Sequence, residues 1–281
     1  MSAPPSTHHA PIEPLRWLNL ALLAAWLWKG WAFPEVDRIY RAHPLVFDFF
    51  PSSLRAIATL EVAYLGPICV ALGFAVRRTR RAGRVAALAW LGGSLALLLH
   101  LGSYNDATFT TSFWVALWMS WYAFRRPRTD GDWALVPPFV ARCLISLVFL
   151  GGLVGKLTPE YWSGEAFLDI YDRPYGVFGL ARAYVTPAAL PALAQFYSIG
   201  AIAMEGTAAA SFLLPSRWAG LVTIAVMLSI VVLSNLLLGS VMAPLIGLAA
   251  TATWLSRQAQ PSGGPDVQGQ PKGKGVPHGS I

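Results

Sequence analysis

Apolar residues fall into eight long runs separated by short polar or basic connections. The runs are roughly Leu15–Phe33, Leu54–Val76, Val85–Leu101, Phe109–Phe124, Ala134–Lys156, Ala188–Leu214, Trp218–Leu238 and Gly239–Leu255. A run of about 20 apolar residues crosses a hydrocarbon core of about 30 Å as a helix. The pattern therefore predicts an all-α, polytopic integral membrane bundle of about eight transmembrane helices. Two junctions are open to a second reading. The first run is too long for a signal-peptide core and reads as a retained span, with a cleaved signal peptide the alternative. The last two runs meet at Leu238-Gly239-Ser240, which reads as a tight turn, with one continuous kinked helix the alternative.

The flanks differ in kind. Met1–Pro14 is rich in Pro, Ser and His, and Gln258–Ile281 in Gly, Pro, Gln and Lys. Neither buries enough apolar surface to offset chain entropy, so both are expected to be disordered. That leaves residues 15–257 as the membrane domain, and no soluble globular domain is expected within the chain.

Composition supports the same class. The chain is 55% hydrophobic and only 12% charged, half the charge that covers a soluble domain, and its mean hydropathy is +0.51. The net charge of +7 sits in short loops, at Arg77-Arg78-Thr79-Arg80-Arg81, Arg84 and Arg125-Arg126-Pro127-Arg128. Basic loops beside spans are the positive-inside signal. They put these loops, Arg217, Arg257 and both termini in the cytoplasm of a cell membrane, the inner one in a Gram-negative source. The basic residues lack interleaved stacking aromatics, so no nucleic-acid partner is expected. The opposite face receives the connections Pro34–Ser53, Gly102–Thr108 and Thr158–Pro187. Cys69 and Cys143 each lie in an apolar run without a close partner, which indicates neither a disulfide framework nor a metal site and reads as buried small hydrophobes.

Chemistry centres on the polar residues inside or closing the runs. Lys156 closes the fifth run. A lysine at bilayer depth costs about 2.5–3.5 kcal/mol at the centre, and it escapes that cost by snorkelling, by ion pairing or by losing its proton. In the last case it is a base. Glu205 lies mid-run, where a carboxyl faces a helix bundle or a wet cavity. Glu61 reads as a carboxyl turned toward other helices, and Asn235 as an interhelical hydrogen-bonding group. His100, Asn105 and Asp106 gather on the same membrane face as Lys156. His100 is an interface residue or a proton partner, and the Asp106 carboxylate is placed to balance the amine. Gly151, Gly152 and Gly155 allow close helix approach beside Lys156, and Trp162 marks the return to the interface.

The stretch Phe149-Leu150-Gly151-Gly152-Leu153-Val154-Gly155-Lys156-Leu157-Thr158-Pro159-Glu160-Tyr161-Trp162-Ser163-Gly164 resembles the signature of the HTTM superfamily. This is the integral-membrane domain of vitamin K-dependent gamma-glutamyl carboxylases and their bacterial relatives. Three further stretches are similar in the same order. They are Ser103-Tyr104-Asn105-Asp106, the segment around Glu205, and Ser234-Asn235 running on to Met242-Ala243-Pro244. The resemblance covers about Leu54–Leu255. It implies a quinol-oxidising, carboxylase-like enzyme with a vitamin K-type hydroquinone as cofactor and Lys156 as base. Asp106, standing where the family has histidine, and His100 would assist, and Asn105, Trp162, Glu205 and Asn235 would hold the cofactor. Besides membrane lipids, the implied partner is a secreted peptide or a soluble subunit that holds the substrate. Two other readings compete. One is a non-catalytic membrane factor for export or maturation of a secreted peptide. The other is a small-solute transporter, for which Pro67 and Pro137-Pro138 break runs without forming a repeat.

Overall fold

A computed structural model describes residues 11–32, 57–99, 107–125, 132–170, 176–214, 216–234 and 236–258. Among them every regular element is helical. The long helices are α1 (Glu13–Ala32), α2 (Ile57–Arg77), α3 (Arg80–Leu99), α4 (Ala107–Phe124), α5 (Asp132–Gly155), α9 (Leu190–Ala210), α10 (Ser216–Leu233) and α11 (Gly239–Gln258). Three short helices interrupt the connection after α5: α6 (Pro159–Ser163), α7 (Glu165–Ile170) and α8 (Val177–Tyr184). Each apolar run of the sequence thus forms a helix. Three stretches, Arg80–Leu99, Leu135–Gly155 and Gly239–Gln258, are long and apolar enough to cross a membrane, and Trp218–Leu233 is a shorter apolar helix. The expected disorder of Met1–Pro14 and Gln258–Ile281 falls mostly outside the described residues; where it does not, it is corrected, since Glu13 and Pro14 begin α1 and Gln258 ends α11.

The long helices are predominantly apolar, with apolar side chains on outward as well as inward faces. Large aliphatic side chains stay exposed on the outside, Val76 at 82% and Leu147 at 67% among them. Inside, α11 is the central helix, packed against α1, α4, α5 and α10. A Cβ added to Gly220, near the start of α10, would lie 1.8 Å from Thr253 Oγ1 near the end of α11. These helices therefore run antiparallel, and the chain turns at Leu236–Leu238, a short 3-10 piece. The continuous-helix alternative is excluded.

An aromatic lattice closes the α1–α4 layer. Trp26 donates from Nε1 to Ser112 Oγ at 2.9 Å, stacks on Tyr64 and meets Trp90 and Phe109 edge-on. Tyr64 donates its hydroxyl to the Trp26 carbonyl. Trp90 donates to Asn19 Oδ1 at 2.9 Å, and Asn19 donates onward to the Ala71 carbonyl at 3.1 Å. One polar thread thus joins α3, α1 and α2 with its donors satisfied, as buried polar groups require.

Two expectations are corrected. Glu61 is exposed on α2 rather than turned toward other helices; it lies near the start of the helix, where a carboxylate reaches outward. Cys69 is exposed and Cys143 half-buried, because both sit on outward faces of helices surrounded by lipid-type surface.

Candidate functional site

The site forms where α5 stops. Lys156 closes its last turn with N–H to the Leu153 carbonyl at 2.9 Å. Pro159 then forces Thr158 into extended backbone, at φ −116° and ψ 155°, as a residue before proline prefers. The chain makes the single turn of α6 and leaves it at Gly164, whose φ is +85°, a left-handed value natural only to glycine. Gly164 is also pressed against α9: a Cβ there would stand 2.4 Å from Gln195 N. Around that contact, Ser198 donates to the Tyr161 carbonyl and Gln195 Nε2 donates to the Trp162 carbonyl at 3.1 Å. Phe178 of α8 rests edge-on against Tyr197. The short helices are therefore fastened to α9 and cap the end of α5.

This arrangement fixes the lysine. Lys156 Nζ lies 2.9 Å from Glu205 Oε1 and 5.6 Å from the centre of the Tyr161 ring, within cation–π range. The two side chains are 20% and 11% exposed. The pairing follows from helix geometry. Gly152 lies four residues before Lys156, on the same face of α5. Having no side chain, it leaves a slot one turn below the amine, and the Glu205 carboxylate fills it. A Cβ on Gly152 would lie 3.1 Å from Glu205 Oε2. That oxygen is buried and has no hydrogen-bond partner among the described residues.

Beside the pair opens a cavity of about 380 Å³, within the size range of small-ligand sites. Lys156 and Glu205 form its charged end, Phe149, Ile230, Met242 and Leu245 its apolar walls, and Thr110, Thr111 and Ser234 supply hydroxyls. A separate apolar groove of about 550 Å³ lies on the outward side of α5 and α9, along Cys143, Leu147, Phe212 and Leu213. A third void, beside Arg142, holds about 10 Å³, room for about one water.

Of the residues singled out from sequence, Lys156 and Glu205 are brought together. The amine's partner here is Glu205 of α9. Trp162 is 46% exposed and does not line the cavity; it contributes its carbonyl to the α6–α9 contact. His100, Asn105, Asp106 and Asn235 lie outside the described residues, although Ala107 and Ser234, next to Asp106 and Asn235 in the chain, both line the cavity. Glu160, on exposed α6, titrates below the usual carboxylate range because its own backbone N–H and the Thr158 hydroxyl donate to it. Among the described residues no group of three or more His, Cys, Asp or Glu side chains could hold a metal. Sequence reasoning missed Tyr161, the two threonines and the role of Gly152. The glycine-to-lysine spacing of four was the signal available.

Comparison with protein-family models, curated proteins and solved structures finds no match to this chain.

Proposed function

We propose that the chain is a multi-pass cell-membrane protein of HTTM type. In this reading its eight long helices are the spans, both termini are cytoplasmic, and the Lys156–Glu205 cavity binds a small lipid-phase molecule of quinol type. The observation that carries this reading is the ion pair itself, set beside a ligand-sized cavity, with one carboxylate oxygen lacking a donor among the described residues. Ionisable residues inside a membrane protein usually mark a functional path or site, and a buried acceptor without a partner is costly to leave so.

A hydroquinone-type ring fits the residues present: apolar walls for the ring, and donor and acceptor groups for its oxygens. When bound, it would supply a removable phenolic proton and a two-electron oxidation. The protein's part is to handle that proton. Lys156 Nζ and Glu205 Oε1 stand 2.9 Å apart, within reach of direct proton transfer. A neutral Lys156 would have the lone pair a base needs, and the ionised Glu205 carboxylate would face the charge that appears when the amine takes the phenolic proton. The Tyr161 ring face steadies the same cation.

The test is extraction of apolar compounds from the purified full-length protein and from Lys156→Met at matched folded amounts. An oxygen-bearing ring compound recovered from the wild type and lost in the variant is the expected result. Its absence from the wild type, or equal recovery from both, contradicts the reading.

A further inference from the structure

The lining of this cavity contains a feature that a lone lysine would not give. Lys156 and Glu205 are its only ionisable groups among the described residues, and they lie 2.9 Å apart. As ammonium and carboxylate their charges cancel. A cavity with an unpaired lysine would be a receptor for anions such as fatty acids. Among the described residues the lining carries no net charge as an ion pair, and it holds a carboxylate beside the amine that an anionic head would seek.

The donors point the same way. An ammonium has three N–H groups. Here one is used by Glu205 Oε1, and the Tyr161 ring face takes a share of the positive charge. What remains for a ligand is a donor on nitrogen next to Glu205 Oε1, a carboxylate oxygen that can accept a second hydrogen bond, while Oε2 is buried in the Gly152 slot. A single hydroxyl answers both, accepting from Nζ and donating to Glu205. A carboxylate head could only accept, and would meet Glu205 with like charge in a medium that screens poorly.

We propose that Glu205 is the charge-selecting residue of the cavity: it restricts the site to uncharged, hydroxyl-headed apolar molecules and turns anionic lipids away. The proposal rests on the cavity being a ligand site, as argued above. It adds a specificity rule, in which discrimination comes from a repulsive group as much as from an attractive one.

The experiment uses the full chain in nanodiscs of zwitterionic lipid at neutral pH. The probes are a fluorinated naphthol and the matching naphthoate, alike in ring and different in charge. Binding is followed by fluorine NMR against empty nanodiscs. The wild type is expected to prefer the naphthol by roughly tenfold or more, the scale of one charge-assisted hydrogen bond. Glu205→Gln, close to isosteric, exposes the ammonium and should reverse the order. Lys156→Met combined with Glu205→Gln removes both charges and should restore preference for the naphthol, which also guards against misfolding of the single variant. Equal or tighter naphthoate binding by the wild type, or an unchanged order in Glu205→Gln, overturns the selection rule and leaves the cavity reading standing. If neither probe binds the wild type above background, both fall.

Discussion

Buried polar groups are treated differently in the two parts of this molecule. In the α1–α4 layer the Trp26 and Trp90 indoles, Asn19 and Ser112 form a connected set of hydrogen bonds. Among the described residues, the buried polar side-chain atoms without a partner lie in α5–α11: Arg142 Nε, Ser146 Oγ, Arg182 Nη1, Glu205 Oε2 and Thr251 Oγ1. The three cavities described above are likewise lined mainly by α5, α9, α10 and α11. The lattice is tied together by satisfied donors, while α5–α11 carry the described cavities and the described polar atoms without partners. The two regions meet on α4, where Thr110 and Thr111 line the Lys156–Glu205 cavity between Phe109 and Ser112 of the lattice.

The contrast is easiest to break at its dense end. Trp26→Ala removes the lattice's central ring and should cost about 3–5 kcal/mol, read as a large drop in thermal midpoint in detergent. An unchanged midpoint would mean that the lattice does not carry the fold. The sharper comparison makes one change in both layers. Ser112→Ala strands the Trp26 N–H and should destabilise by about 1 kcal/mol. Ser146→Ala deletes a hydroxyl that has no partner and should be neutral or stabilising. Equal losses at the two serines in denaturation curves would erase the distinction.

A smaller effect is expected at the slot. Gly152→Ala puts a methyl 3.1 Å from Glu205 Oε2, so the carboxylate must yield by a few tenths of an ångström. Naphthol affinity should fall severalfold while the thermal midpoint barely moves. The smallest concerns Glu160. Its carboxyl titrates below the ordinary range, so its contribution to holding α6 is present above that range and is lost as pH falls through the depressed value. Hydrogen exchange should show α6 loosening in acid, and Glu160→Gln should remove that pH dependence.

The long helices were legible because period and length are local properties: each apolar run became a helix, and Lys156 does stand at a helix end. The turn near Gly239 needed packing to settle it, since only the contact of Gly220 with Thr253 shows the chain doubling back. The short helices α6–α8 were read as a plain connection. Pro159 and Gly164 signal breaks, but the contacts with α9 that stabilise such short pieces come from distant sequence. The site was half legible. Lys156 and Glu205 were both singled out, yet the amine was matched to Asp106, which shares its membrane face. Sequence gives the face a residue lies on; the azimuth that turns Glu205 into the Gly152 slot comes only from how α9 crosses α5. Trp162 was read as a ligand contact only through the family resemblance; it is half exposed, and its carbonyl accepts from Gln195.

The central claim is that Lys156 and Glu205 act as one unit. A double-mutant cycle with Lys156→Met, Glu205→Gln and the combined variant, measured by reversible unfolding in one detergent, tests it directly. Each single change leaves its partner's charge uncompensated, and the combined change leaves none. The account predicts a coupling of about 0.5–3 kcal/mol, with the double variant recovering stability lost in the singles. Effects that simply add, to within about 0.3–0.5 kcal/mol, would contradict it.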